Sequence, residues 1–146
     1  MADPRVWVFF YGSYMNLDVL REVDLVPEKW EVARLNGYDL RIQPRANLVT
    51  SEPGRVYGIA ATATHRELDR PYAHAQEVLG EIYLPEAVLV ETLSGTWRPT
   101  LCYLCPRMEA HAADAAYVER IAAPARALGF PKWYIKKIES FGPSSV

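Results

Sequence analysis

The sequence predicts an α+β (mixed α/β) fold, on three observations. An apolar run rich in β-branched and aromatic residues, Val6-Trp7-Val8-Phe9-Phe10, stops at Tyr11-Gly12-Ser13. Extended segments in the middle of the chain are punctuated by the turn signals Asn36-Gly37 and Ser94-Gly95, and the last third is helical in pattern. Strands separated by helices, with hairpins between the middle strands and a helical end, are the signature of that class.

The first run reads as a buried strand feeding a tight turn. Asn16 is placed to cap the next segment, where Leu17, Val19, Leu20 and Val23 give a short helix over 16–23. Asn36-Gly37 is a hairpin or bulge signal between Glu31–Leu35 and Tyr38–Ile42. Residues 43–54, with Pro44, Asn47, Ser51, Pro53 and Gly54, read as a loop able to cross the rim of a pocket, and extended structure resumes over Arg55–Ala61.

Thr64-His65-Arg66-Glu67 has the Thr-x-x-Glu form of a capping box, so a helix is expected to start there and to end near Gln76-Glu77, before Gly80. Pro71 either kinks it or opens a second turn. Two strands follow, Ile82–Val90 and Arg98–Cys105, with Pro85 marking an edge or a strand start. Helical pattern covers Ala113–Leu128 with a break at Pro124 and a stop at Gly129, and Pro131 opens a last helix to Ser140. Residues 141–146 read as a frayed tail.

At 146 residues and 50% hydrophobic content, the chain is long enough for one core and is expected to form one domain, 1–146. Its 16 basic and 18 acidic residues give a formal charge of −2, too little positive field to hold a nucleic-acid backbone. No stretch approaches the roughly 20 apolar residues that span a bilayer, so no membrane partner is expected, and a cytoplasmic location follows.

Cys102 and Cys105 have the Cys-x-x-Cys spacing of a redox pair or half a metal site. They fall in a strand, however, where residues three apart point to opposite faces, and no second pair completes a metal set. Two strand cysteines are expected, with no metal. His74 lies three residues before Glu77, on the same face if the segment is helical; with no matching ligands at His65 or His111, a surface histidine is the plainer reading. A serine or cysteine hydrolase finds little support, because Tyr11-Gly12-Ser13 lacks the Gly-x-Ser-x-Gly elbow and nothing assigns a histidine to Ser13.

Four segments, taken in order, resemble the γ-glutamylcyclotransferase family over nearly the whole chain. Phe10-Tyr11-Gly12-Ser13-Tyr14-Met15-Asn16 is similar to its Tyr-Gly-Ser-x-(Met/Leu) loop after the first strand, and Arg55-Val56-Tyr57-Gly58 to its Val-x-Gly strand. Thr64–Asp69 with Glu77 and Tyr83 resembles the helix, catalytic glutamate and following tyrosine; Tyr117–Ile121 and Ala125–Tyr134 resemble the carboxy-terminal helices with their Gly-x-Pro-x-x-Tyr segment.

The resemblance implies a compact, partly closed mixed sheet flanked by helices, and a cofactor-independent reaction. The α-amine of a γ-glutamyl group attacks its own γ-carbonyl, giving 5-oxoproline and releasing an amine. A carboxylate suits the proton transfers, and backbone amides of a glycine turn suit the oxyanion. It also implies that Tyr11, Gly12, Ser13, Tyr14 and Met15 form the substrate loop; if that implication is set aside, Gly12 simply permits a chain reversal while Tyr11 and Met15 pack in the core.

The base is harder to place. The family's Leu-Asp-x-x-Glu-Gly pattern survives only as Leu68-Asp69, and strict counting puts Tyr72 where the glutamate belongs. Counting back from Tyr83 favours Glu77 as the catalytic residue, with Glu81 in reserve. Tyr83, Tyr117 and Tyr134 are further pocket candidates, although core packing explains the last two equally well. The expected partner is a small γ-glutamyl compound bound by a monomer or homodimer; a non-catalytic binding module on the same fold is the competing reading.

Overall fold

The computed structural model describes residues 3–143. Five strands, β1 (Arg5–Phe10), β2 (Trp30–Ile42), β3 (Ala46–Thr64), β4 (Leu84–Thr92) and β5 (Trp97–Leu104), run in the order β1-β3-β2-β4-β5. Neighbours are antiparallel, and the sheet curls until Val8 of β1 meets Leu101 of β5 in a single parallel pair. The result is the mixed sheet, a partly closed barrel, that the sequence suggested.

The helices are α1 (Leu17–Glu22), α2 (His65–Leu79), α3 (Ala115–Ala127) and α4 (Lys132–Glu139). Both expected caps form. Asn16 accepts from the amide of Asp18, and Thr64 and Glu67 exchange hydrogen bonds of 3.1 and 2.9 Å in a complete capping box. Gly80 and Gly129 take left-handed φ values of 70° and 75°, which end α2 and α3 at little cost because glycine has no β-carbon to clash.

Of the two readings of Asn36-Gly37 the bulge holds: β2 passes through it with a register shift between Asn36 and Tyr38, supported by the left-handed Gly37. Three expectations need correction. Residues 46–54 are strand, since β2 supplies backbone partners from Tyr38 to Ile42 for Ala46 to Thr50, so the loop shrinks to 43–45. Pro71 and Pro124 each lie inside a continuous helix, and α2 runs on to Leu79. In the tail, Phe141 packs on the core and Gly142 bonds back to Glu139, while 144–146 lie outside the described residues.

One core fills the sheet, with Phe9, Phe10, Ile59, Leu40 and Ile42 meeting Ile121, Tyr134 and Ile138 of the last two helices. Burial of such side chains stabilises by about 1.5–3 kcal/mol each. Topology then fixes where a site can form. Because β1 and β5 are parallel and their neighbours antiparallel, the ends of β1, β2 and β5 gather with the starts of β3 and β4 at one end of the sheet.

Candidate functional site

A cavity of about 170 Å³ opens at that end. The end of β1 supplies Phe9 to Tyr11, and the chain then enters a 3₁₀ turn, Ser13–Met15, closed by the Met15 amide on the Gly12 carbonyl at 3.1 Å. The amides of Gly12, Ser13 and Tyr14 precede that first bond, so they have no acceptor within the turn. Gly12 is required by space: a β-carbon there would lie 2.8 Å from that of Ala46.

Ala46 is tied on three sides. The Tyr83 hydroxyl donates to its carbonyl at 2.8 Å, its N–H donates to the Tyr117 hydroxyl oxygen at 2.9 Å, and its methyl faces Gly12. Behind it, Asn47 donates to the carbonyl of Cys105 at 2.7 Å and accepts from its N–H at 2.9 Å, joining the start of β3 to the end of β5. Tyr11 donates to the carbonyl of Tyr103 at 2.6 Å, which fixes the end of β1 against β5.

Helix α2 forms the opposite wall through Pro71, Tyr72, Ala75 and Leu79, an i, i+3, i+7 stripe starting at Tyr72. Tyr72 stacks on Tyr103 with ring centres 3.9 Å apart and planes 11° from parallel. Its other aromatic neighbours are Tyr14 and Tyr83. Burial pushes the Tyr72 and Tyr11 phenols well above their ordinary range, with neighbouring tyrosines and Cys102 acting in the same direction.

Among the described residues, Glu81 is the one carboxylate lining this cavity. Its Oε2 is shut off from solvent and has no hydrogen-bond partner there. Desolvation raises its pKa, and the positive charge of Arg45 across the cavity opposes that rise. Arg45 lies on the loop before β3, its guanidinium 5.4 Å from the centre of the Tyr117 ring.

The expected site residues therefore divide. Tyr11, Gly12, Ser13, Tyr14, Glu81, Tyr83 and Tyr117 line the cavity. Glu77 does not: α2 extends past it, and a residue five beyond Tyr72 points some 140° away from the cavity-facing stripe, into solvent. Met15 is buried in the core beneath the turn. Tyr134 is fully buried among Tyr57, Phe130 and Trp133, away from the cavity. His74 is exposed, and Cys102 and Cys105 are free thiols in buried positions.

No protein-family model and no curated protein matches the sequence. Solved structures do match in shape. A γ-glutamyl cyclotransferase superposes with a TM-score of 0.79 over 98% of this chain and 91% of its own, at 21% identity. The fold is γ-glutamylcyclotransferase-like. An uncharacterised human protein gives 0.78 over 97% of this chain and 90% of its own, at 20% identity. A yeast γ-glutamyl cyclotransferase specific to glutathione gives 0.66 over 95% and 96%, at 13% identity.

On this γ-glutamylcyclotransferase-like frame, Arg45, Tyr103 and Leu79 are cavity residues that sequence reasoning missed. The loop before β3 was legible as a rim, but nothing in the pattern singled out Arg45 within it. Tyr103 lay inside a strand pattern with no marker of the sheet end at which it emerges. No helix among the described residues is long and apolar enough to cross a membrane.

Proposed function

We propose that the protein cyclises a γ-glutamyl amide to 5-oxoproline with release of an amine, and that Glu81 is the proton acceptor. The observation that carries this reading is a carboxylate with a buried, unpartnered oxygen in the same cavity as the Gly12 turn. A carboxylate whose pKa is raised by burial is a stronger base than an exposed one.

Nucleophile and electrophile belong to one molecule, so the main task is to hold a folded, ring-closing conformation. The aromatic walls suit that task. Glu81 takes a proton from the α-ammonium; the freed nitrogen bonds to the γ-carbonyl carbon; amides of the Gly12–Tyr14 turn hold the developing oxyanion. As the oxyanion collapses the amide C–N bond breaks and its electron pair goes to the departing nitrogen, which takes two protons, one from Glu81 and the second from the ring nitrogen, and leaves as an ammonium.

A second reading, a binding module without turnover, is favoured by Tyr72. It stands where the motif count places the glutamate, and a phenol held above its ordinary pKa does not accept protons at neutral pH. One experiment separates the two. The protein is incubated with γ-glutamyl amino acids, γ-glutamyl amines and glutathione, and 5-oxoproline is measured. Product that disappears in Glu81→Gln supports the enzyme; binding of these compounds without any product supports the module.

A further inference from the structure

A cavity of roughly 150 Å³ holds a molecule about the size of benzene. The inner cavity, at about 170 Å³, accommodates the γ-glutamyl head but not a whole γ-glutamyl dipeptide. The rest of the substrate must project. Immediately beside the inner cavity lies a wider one of about 830 Å³, and the two share Leu79 and Glu81.

The chemistry of the outer cavity is specific. Ile82 and Leu84 are 52% and 51% exposed, and with Leu79 and Met108 they line its wall, so the exposed apolar side chains lie together on one cavity rather than singly. Arg107 supplies a cation that forms no ion pair among the described residues. The carboxylate of Glu109 also lines this cavity, 3.6 Å from His111 Nε2.

We propose that this outer cavity is the subsite for the departing half of the substrate, and that it selects an α-amino acid with a bulky apolar side chain. The aliphatic wall covers the side chain, and Arg107 pairs with the free carboxylate. The proposal rests on the cyclising reading for its chemistry: the α-nitrogen bonds to the γ-carbonyl carbon, the amide C–N bond breaks, and the protonated amino acid leaves from the outer cavity. Glu81, standing on the wall common to both, is placed to reach both nitrogens.

The test compares three compounds on the intact protein: γ-glutamyl-leucine, γ-glutamylglycine and γ-glutamyl-isopentylamine, which keeps the apolar group and lacks the carboxylate. Initial rates of 5-oxoproline formation give kcat/KM, and calorimetric titration of Glu81→Gln gives Kd without turnover. The leucine compound is expected to lead both others by about 10-fold or more, the usual scale for filling an apolar pocket. Ile82→Ser and, independently, Met108→Ser should shrink the leucine-to-glycine ratio, and Arg107→Gln should erase the leucine-to-isopentylamine ratio. Thermal melts check that each variant folds.

Turnover with a flat preference across the three compounds overturns the subsite and leaves the cyclising reading standing. Preferential binding of the leucine compound that depends on Ile82, without 5-oxoproline from the parent, sustains the subsite and overturns the reaction. Absence of both binding and turnover overturns the two together.

Discussion

Gly12 and Ala46 meet across the cavity with no room for a second methyl: a β-carbon on Gly12 would sit 2.8 Å from that of Ala46. Ala46 cannot retreat easily, since Tyr83 and Tyr117 hold both of its backbone polar groups. Gly12→Ala therefore has to displace the turn. Overpacking of this kind costs about 1–3 kcal/mol. Urea denaturation should register that loss, and the same variant should bind γ-glutamyl compounds far more weakly because the turn amides move.

Glu81 gives a pH dependence of defined sign. Its pKa in the folded protein is raised by burial, so ionisation is harder than in the unfolded chain. The stability this lends is fully present below the ordinary carboxylate value and is lost as pH rises through the raised folded value. Glu81→Gln stays neutral throughout. The variant should be the more stable protein at pH 7, and the difference should vanish on acidification below the unfolded pKa; thermal melts across pH 3.5–8 (about that range) measure both ends.

The same group should govern the rate. A base works only when ionised, so kcat/KM should rise with pH along a limb lying above the ordinary carboxylate range, and Glu81→Gln should abolish turnover. Glu77→Gln, on the exposed face of α2, should change neither the profile nor the stability by more than about 0.5 kcal/mol. A loss of turnover in Glu77→Gln with retention in Glu81→Gln would return the role to Glu77.

Local signals in the sequence were read well where the physics is local. The capping box at Thr64, the cap at Asn16 and the glycine stops at Gly80 and Gly129 depend on a few neighbouring residues, and each forms as expected. Asn36-Gly37 is different. Its conformation suits a turn or a bulge, and only the long partner strand β3, pairing on both sides of it, makes it a bulge. The start of β3 was hidden for the same reason: Pro53, Gly54 and the polar residues around them look like loop until β2 is laid beside them.

The site shows a parallel division. The Gly12 turn was legible because strand, glycine and helix start are consecutive. Counting back from Tyr83 put Glu77 ahead of Glu81, because the sequence does not show where α2 ends, and that decides which residue turns into solvent. Two more residues of helix beyond Glu77 place it outside and let the chain fold back so that Glu81 lines the wall. Tyr134 was ambiguous for a tertiary reason, as its partners Tyr57 and Phe130 come from another strand and another turn.

Tyr72 and Tyr103 form a parallel stack between α2 and β5, and the ring matters more there than the hydroxyl. Tyr72→Phe keeps the stack and should retain both fold and turnover, which a proton-transfer role for the phenol would not allow. Tyr72→Ala removes the ring and should cost about 3 kcal/mol, within the range for aromatic truncation in a packed site. Circular dichroism melts and 5-oxoproline assays on the pair distinguish packing from chemistry.

Asn47 performs a purely backbone service. Its side-chain amide donates to the carbonyl of Cys105 and accepts from the N–H of the same residue, at 2.7 and 2.9 Å, in a buried position. Asn47→Ala strands one donor and one acceptor, each costing about 1–3 kcal/mol when buried without a partner. Asn47→Asp keeps the acceptor but loses the donor and buries a charge, so it should be at least as damaging near neutral pH. Denaturant midpoints order the three proteins. If Asp instead equalled the parent at pH 7, the Cys105 carbonyl would not depend on Asn47, and the link between β3 and β5 would lie elsewhere.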